Sequence, residues 1–163
     1  MYRGIITDGS EMKLITYLTV LFITQAALQQ GIYSQLSCDE NQISESEEAR
    51  KTAENSLLNA RSVNVTLPSG IDITAFYCEG KLIKISTTDN LSHSEQIFFE
   101  KENLRCFESS GYDNGKEYFI AYYIKDDKVF CKQNMLSGAF LELGNNESKG
   151  IIMKVQDYLL AIQ

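Results

Sequence analysis

Four cysteines, a single histidine and one tyrosine in a Gly-Tyr-Asp-Asn-Gly run are the side chains of this chain with the types and spacing to do chemistry. Cys38, Cys78, Cys106 and Cys131 lie far apart in sequence, unlike the close pairs that zinc sites use, and His93 has no second histidine to share a metal with. No metal site and no cofactor are therefore expected, and neither a phosphate loop nor a dinucleotide fingerprint occurs. Nucleophilic catalysis would need a cysteine or serine beside a positioned base. His93 sits in Asn90-Leu91-Ser92-His93-Ser94-Glu95, a polar stretch without a nucleophile motif, and reads as a solvated loop imidazole. A Cys/His-dependent enzyme is the less favoured reading, and the chain is read as no enzyme. The carboxylate pairs Glu47-Glu48 and Asp126-Asp127 fit a helix start and a turn better than an acid/base dyad.

In an oxidising compartment the cysteines would form disulfides, with three pairings open. A simple meander puts Cys78, Cys106 and Cys131 near one sheet end. It also places Cys106 and Cys131 on strands two apart, about 9 to 10 Å, beyond disulfide reach. A strongly curled sheet would permit Cys78–Cys131 and leave Cys106 for Cys38. Burial of the cysteines as small hydrophobic residues is the alternative. Cys38 has a further reading: Gln35-Leu36-Ser37-Cys38 resembles a degraded lipoprotein box, which would make it a lipid-anchored residue. The nine tyrosines suggest a binding face, because the ring offers contact area and a polar tip. Tyr112, with Asp113 and Asn114, is the candidate exposed site. Asn64-Val65-Thr66, Asn90-Leu91-Ser92 and Asn146-Glu147-Ser148 match the glycosylation sequon, which matters only in a eukaryotic secretory pathway.

The elements that would position these residues recur. Phe76-Tyr77, Phe98-Phe99 and Tyr122-Tyr123 are each followed by a short polar break, at Glu79-Gly80, Glu102-Asn103 and Asp126-Asp127, and then by an aliphatic-led strand. Aromatic and β-branched residues favour a half-buried pleated surface, and the breaks tolerate tight turns, so three β-hairpins are predicted. Residues 76–131 resemble the hairpin units of MORN-type repeat variants in this aromatic-pair, turn and aliphatic-strand order, although Gly80 alone matches their punctuating glycines. That resemblance implies a hairpin array serving as a scaffold or interaction module. Val63, Val65 and Leu67 alternate as a strand ahead of it. Ile71, Ile73, Ala75 and Tyr77 share one face, Ile97 and Phe99 oppose Phe98, Ser109-Ser110-Gly111-Tyr112-Asp113-Asn114-Gly115 reads as a connection, and the 118–124 run, large on both faces, is expected to be central.

Two helices flank the hairpins. A Ser44/Glu47 capping box opens one with a small-residue stripe at Ala49, Ala53, Leu57 and Ala60. Ile151, Ile152, Val155, Leu159 and Ile162 keep helical spacing at the C-terminus. The predicted fold is α+β: a predominantly antiparallel sheet of hairpin repeats with an N-terminal and a C-terminal helix packed on it. Ahead of it, Lys13 and the apolar run 14–23 resemble a bacterial Sec signal starting at Met12, with cleavage after Ser34 or at Ala26. The domains are then a leader at 1–34, a flexible segment at 35–43 and one domain at 44–163.

A net charge of −7, unchanged without residues 1–34, repels nucleic acid and anionic membranes. Membrane association would need lipidated Cys38 or an uncleaved leader. The reading is a small exported, periplasmic or secreted, non-catalytic binding module whose partner is a protein or small ligand. An inhibitor or immunity-type partner of another exported protein is the alternative.

Overall fold

The structure, a computed structural model, describes residues 38–89 and 92–163. The expected leader, its cleavage positions and Asn90 of the second sequon lie outside the described residues. Seven strands follow one another in chain order and pair antiparallel with their sequence neighbours: β1 Arg61–Thr66, β2 Asp72–Cys78, β3 Lys81–Thr88, β4 Ser94–Glu100, β5 Asn103–Asp113, β6 Lys116–Lys125 and β7 Lys128–Asn134. Helix α1 spans Glu40–Ser56, a short 3₁₀ turn follows at Leu57–Asn59, and α2 spans Glu147–Ala161.

Alternation along the strands divides the side chains between two faces. Ile73, Ala75, Ile85, Ile97, Phe99, Phe107 and Ile124 form one core with Ile151, Val155 and Tyr158 of α2. Phe98, Cys106, Ala121, Tyr123 and Cys131 form the other with Ala53 of α1. Each helix therefore covers its own face of the sheet, which gives the expected α+β arrangement. The small stripe holds at Ala49 and Ala53, buried where α1 lies close to the strands, whereas Leu57 and Ala60 fall beyond the end of α1 and are only half-buried.

The repeat is structural as well as sequential. The turns at Glu79-Gly80, Lys101-Glu102 and Asp126-Asp127 all have two residues with positive φ, the geometry that two-residue hairpin loops need. In all three hairpins the register slips at the aromatic position, between Phe76 and Tyr77, Phe98 and Phe99, and Tyr123 and Ile124. A bulge there adds local twist beside each turn.

Four expectations are corrected. The second turn falls at Lys101-Glu102, one residue early. Ser109–Gly111 continue β5 instead of looping out, with the turn at Asn114-Gly115. Strand β6 is covered on both faces but lies next to the edge, because the meander places β4 in the middle. The segment 35–43 is not a free tether over its described part. Helix α1 starts at Glu40, where the Asp39 carboxylate accepts the N–H groups of Asn41 and Gln42 at 2.9 and 3.3 Å, a full turn before the Ser44/Glu47 box.

Candidate functional site

Cys38 is bonded to Cys131, with an S–S distance of 2.04 Å. The expected Cys78–Cys131 and Cys38–Cys106 pairs are therefore corrected. Cys78 ends β2 and Cys131 lies on β7, five strands away in an open sheet that does not curl back on itself. Cys106 and Cys131 are both opposite Tyr123, one on each side, so they stay two strands apart as the meander requires. Cys106 is buried and free, and burial, with Glu108 and Glu47 nearby, pushes its thiol well above the ordinary range. Cys78 is free and half-buried. The Cys38 sulfur, held in the disulfide, is not available in this state for a lipid thioether.

His93 is not a solvated loop imidazole. It is joined to Tyr118 through Nδ1 and to Glu95 through Nε2, the latter at 3.1 Å. With Nε2–H donating to the acceptor-only carboxylate, Nδ1 accepts the Tyr118 phenol. Glu95 is 2% exposed and collects donors on both oxygens. Oε1 accepts Lys154 Nζ at 2.6 Å as well as His93; Oε2 accepts the Tyr158 hydroxyl at 2.7 Å and Thr87 Oγ1 at 3.5 Å. Burial pushes this carboxyl up, but the hydrogen bonds from Lys154, Tyr158 and His93 and the Lys154 charge outweigh it and hold the carboxyl below its ordinary value. Lys154 and Tyr158 belong to α2 and Glu95 to β4, so the cluster fastens helix to sheet.

A carboxylate, an imidazole and a hydroxyl in series could pass a proton, yet no cysteine reaches this imidazole. Cys106 is on the opposite face of the sheet. Cys78 lies at the end of β2 beside Lys81, whereas His93 lies beyond the other end of β3, roughly 20 Å away along seven residues of strand.

The opposite face holds Glu108, 4% exposed. Among the described residues its nearest cation is Arg50 of α1, Nε to Oε1 at 3.7 Å, and that oxygen has no hydrogen-bond partner there. Arg50 is drawn instead to Glu47, at 2.9 Å. Burial, with Glu47 and Glu54 adding to it against Arg50 and Lys84, pushes the Glu108 carboxyl up to about 7. Lys84, buried over the Phe98 ring at 5.0 Å, is lowered by the same desolvation.

Tyr112, Asp113 and Asn114 end β5 and turn into β6. Asn114 and Gly115 both have positive φ, and Asn114 Nδ2 donates to Asp113 Oδ1 at 3.0 Å. Tyr112 is 67% exposed. Its register with Glu117 continues unbroken from Glu108–Ala121, which puts Tyr112 on the α1 face of the sheet with Phe119. After β7 the chain turns back and Phe140 bridges Gln133, adding a 54% exposed aromatic ring to the same face. Helix α1 is tied to the other end of that face, by Cys38 to Cys131 and by Glu47 to the Tyr123 hydroxyl at 2.9 Å. Tyr112 and Phe140 are left exposed on this face, and Leu136 is exposed in the turn after β7, whereas Leu141, beside Lys132, is in phase with the α2 face.

Sequence reasoning missed Glu95 and Glu108. The signal was present: Glu95 is in phase with Ile97 and Phe99, the inward set of β4, and Lys154 falls between Ile151 and Tyr158 on the buried side of α2. Glu47 of the first carboxylate pair binds Arg50 and Tyr123, and Asp126-Asp127 form the third turn. Asn64 of the first sequon is exposed on β1, whereas in the third Glu147 and Ser148 are occupied, by Lys132 and by the Val129 N–H. Among the described residues no group of acidic, histidine or cysteine side chains could hold a metal, and no helix is long and apolar enough to cross a membrane.

No family model, curated protein or solved structure matches this chain.

Proposed function

We propose that the protein is an exported, non-catalytic binding module whose contact surface is the Tyr112–Phe140 corner of the α1 face. The observation that carries this reading is that Tyr112 and Phe140, two large aromatic side chains, are left exposed on the α1 face, with exposed Leu136 in the turn between β7 and Phe140. Rigid aromatic anchors framed by polar groups, here Asp113 and Asn114, are what protein-binding patches are made of. The Cys38–Cys131 bond supports export, because such bonds persist in oxidising compartments. The corner fits another exported protein as partner. The test is retention of extracytoplasmic proteins on the immobilised chain, compared with a Tyr112→Ala/Phe140→Ala double variant. Both side chains are exposed, so the fold is expected to survive. A partner held by the parent and lost by the variant supports the corner; equal retention by both overturns it. Intact mass of the protein expressed with its own leader tests export separately, and an unprocessed chain with four free thiols overturns that part.

A further inference from the structure

The two edges of the sheet are finished differently. Along β7 the outer backbone groups are occupied: Val129 N–H donates to Ser148 Oγ at 3.1 Å, Leu141 N–H to the Lys132 carbonyl at 2.9 Å, and Asn134 N–H to the Ala139 carbonyl at 2.8 Å. Among the described residues strand β1 pairs on one side only, with β2, in an unbroken register. Leu67 N–H donates to the Ile71 carbonyl, which sets the phase of that ladder. Arg61, Val63 and Val65 then turn their backbone groups toward β2, and Ser62, Asn64 and Thr66 present theirs to solvent. The strand has no proline, lysine or bulge, the usual means by which an edge avoids a partner.

We propose that this edge pairs antiparallel with the β1 of a second copy of the chain about a two-fold axis at Asn64. The sequence is self-complementary in that register. Asn64 meets Asn64, Ser62 meets Thr66 and Val63 meets Val65, so amide and hydroxyl groups share one face and valines the other, with no like charges opposed. Arg61 lies opposite Leu67. A second feature points to the same occupant. Beside β1, on the Val63 side, a pocket of about 440 Å³ is lined by Asn59, Arg61, Val63, Tyr77, Glu79 and Gly80. Val65 and Leu67 of the second copy arrive alongside Val63 and Arg61, at the mouth of that pocket, and symmetry fills its twin. The joined strands make one continuous sheet of fourteen, two sets of the seven described here.

Six residues of edge and two shallow pockets fall at the small end of stable interfaces, below about 1,200 Å². The dimer is therefore concentration-dependent. Two chains of charge −7 repel, so added salt tightens it.

Sedimentation equilibrium on the purified protein between about 10 µM and about 1 mM tests this. The expected result is a monomer–dimer equilibrium that strengthens with salt. Asn64→Pro removes an outward N–H without touching the β1–β2 ladder and abolishes the dimer. Asn64→Lys sets two ammonium groups face to face and weakens it about tenfold. An equimolar mixture of Asn64→Lys and Asn64→Glu restores association to the parental level, a rescue that no other register gives and that stands even if the proline variant does not fold. A parent that stays monomeric to about 1 mM overturns the proposal and leaves the edge to a foreign strand. A parental dimer that survives both single variants overturns it as well, by placing the interface elsewhere.

Discussion

Glu95 and Glu108 sit on neighbouring strands, both almost wholly buried, and face opposite sides of the same sheet. Glu95 fills its acceptor positions with four donors from β3, α2 and the loop before β4. Glu108 has one cation at 3.7 Å and an oxygen without a hydrogen bond. Their carboxyls are displaced in opposite directions, one down and one up to about 7. Burial is common to both and penalises the charged form in each; the number of donors decides the sign. The faces are fastened accordingly. Helix α2 is held to its face by a satisfied buried carboxylate, and α1 is held to the other by a disulfide and by Glu47 on the Tyr123 hydroxyl, with the unsatisfied Glu108 carboxylate left on that face.

If the covalent bond stands in for polar satisfaction on the α1 face, removing it gives the largest effect. The Cys38–Cys131 link closes a loop with a sequence separation of 93. The chain-entropy model assigns such a loop about 4 to 5 kcal/mol. Cys38→Ser is expected to lower the urea-unfolding free energy by about that much, and hydrogen exchange should quicken across α1 more than across α2. Equal quickening of both helices would break the comparison. Replacing Glu95 by leucine strands Lys154, Tyr158 and Thr87 under α2 and is expected to cost about 3 kcal/mol, with the change in exchange now confined to α2.

The pH dependence sharpens the contrast. An unfolded glutamate titrates near 4.5, the ordinary value for Glu108. Folded Glu108 keeps its proton to about 7, so it has no effect on stability below 4.5, costs progressively more as pH rises between the two values, and costs its full amount above 7. Glu108→Gln is therefore expected to stabilise the protein at pH 8 by about 3 kcal/mol and to change nothing at pH 4. Glu95, held below its ordinary value, contributes stability above 4.5 that is lost as the pH falls beneath it. Glu95→Gln should flatten the acid limb and leave the alkaline limb as it is. Urea midpoints of both variants from about pH 2 to 8 check the two limbs, and a Glu108→Gln curve parallel to the parent's would remove the argument.

How much of this was legible in the sequence follows the same division. The hairpins were, because paired aromatics and turn residues act locally and Ile97, Phe99 and Phe98 sort by period two. The strand order was legible only in part: short connections favour a meander, yet the 118–124 run, large on both faces, pointed to a central strand and lies next to the edge. The disulfide was not, since Cys38 reaches Cys131 only once α1 crosses the face, and helix direction on a sheet is a tertiary fact. His93 was misread for a related reason. Its polar neighbours suggested solvent, whereas Tyr118, two strands away in the meander, reaches across Gly111 to it: a Cβ on Gly111 would stand 3.1 Å from the Tyr118 hydroxyl oxygen. Glu95 and Glu108 were readable in phase as charged residues among inward ones, but phase alone does not say which of them finds donors.

The smallest effect is the most discriminating. His93 supplies one of the donors on Glu95 Oε1, and Lys154 supplies another on the same oxygen. If the count of donors sets the behaviour of Glu95, removal of His93 leaves the carboxylate paired with Lys154, Tyr158 and Thr87. His93→Ala should then cost about 1 kcal/mol, the worth of one hydrogen bond, and move the acid limb only slightly upward in pH. Tyr118→Phe should cost less still, because its ring continues to cover Gly111 and only the contact with Nδ1 is lost. Urea unfolding of both variants at pH 7 measures the pair. A His93→Ala loss as large as that of Glu95→Leu would show that the imidazole, rather than the lysine and tyrosine of α2, holds the carboxylate in place, and the two glutamates would then differ by a single residue and not by the number of their partners.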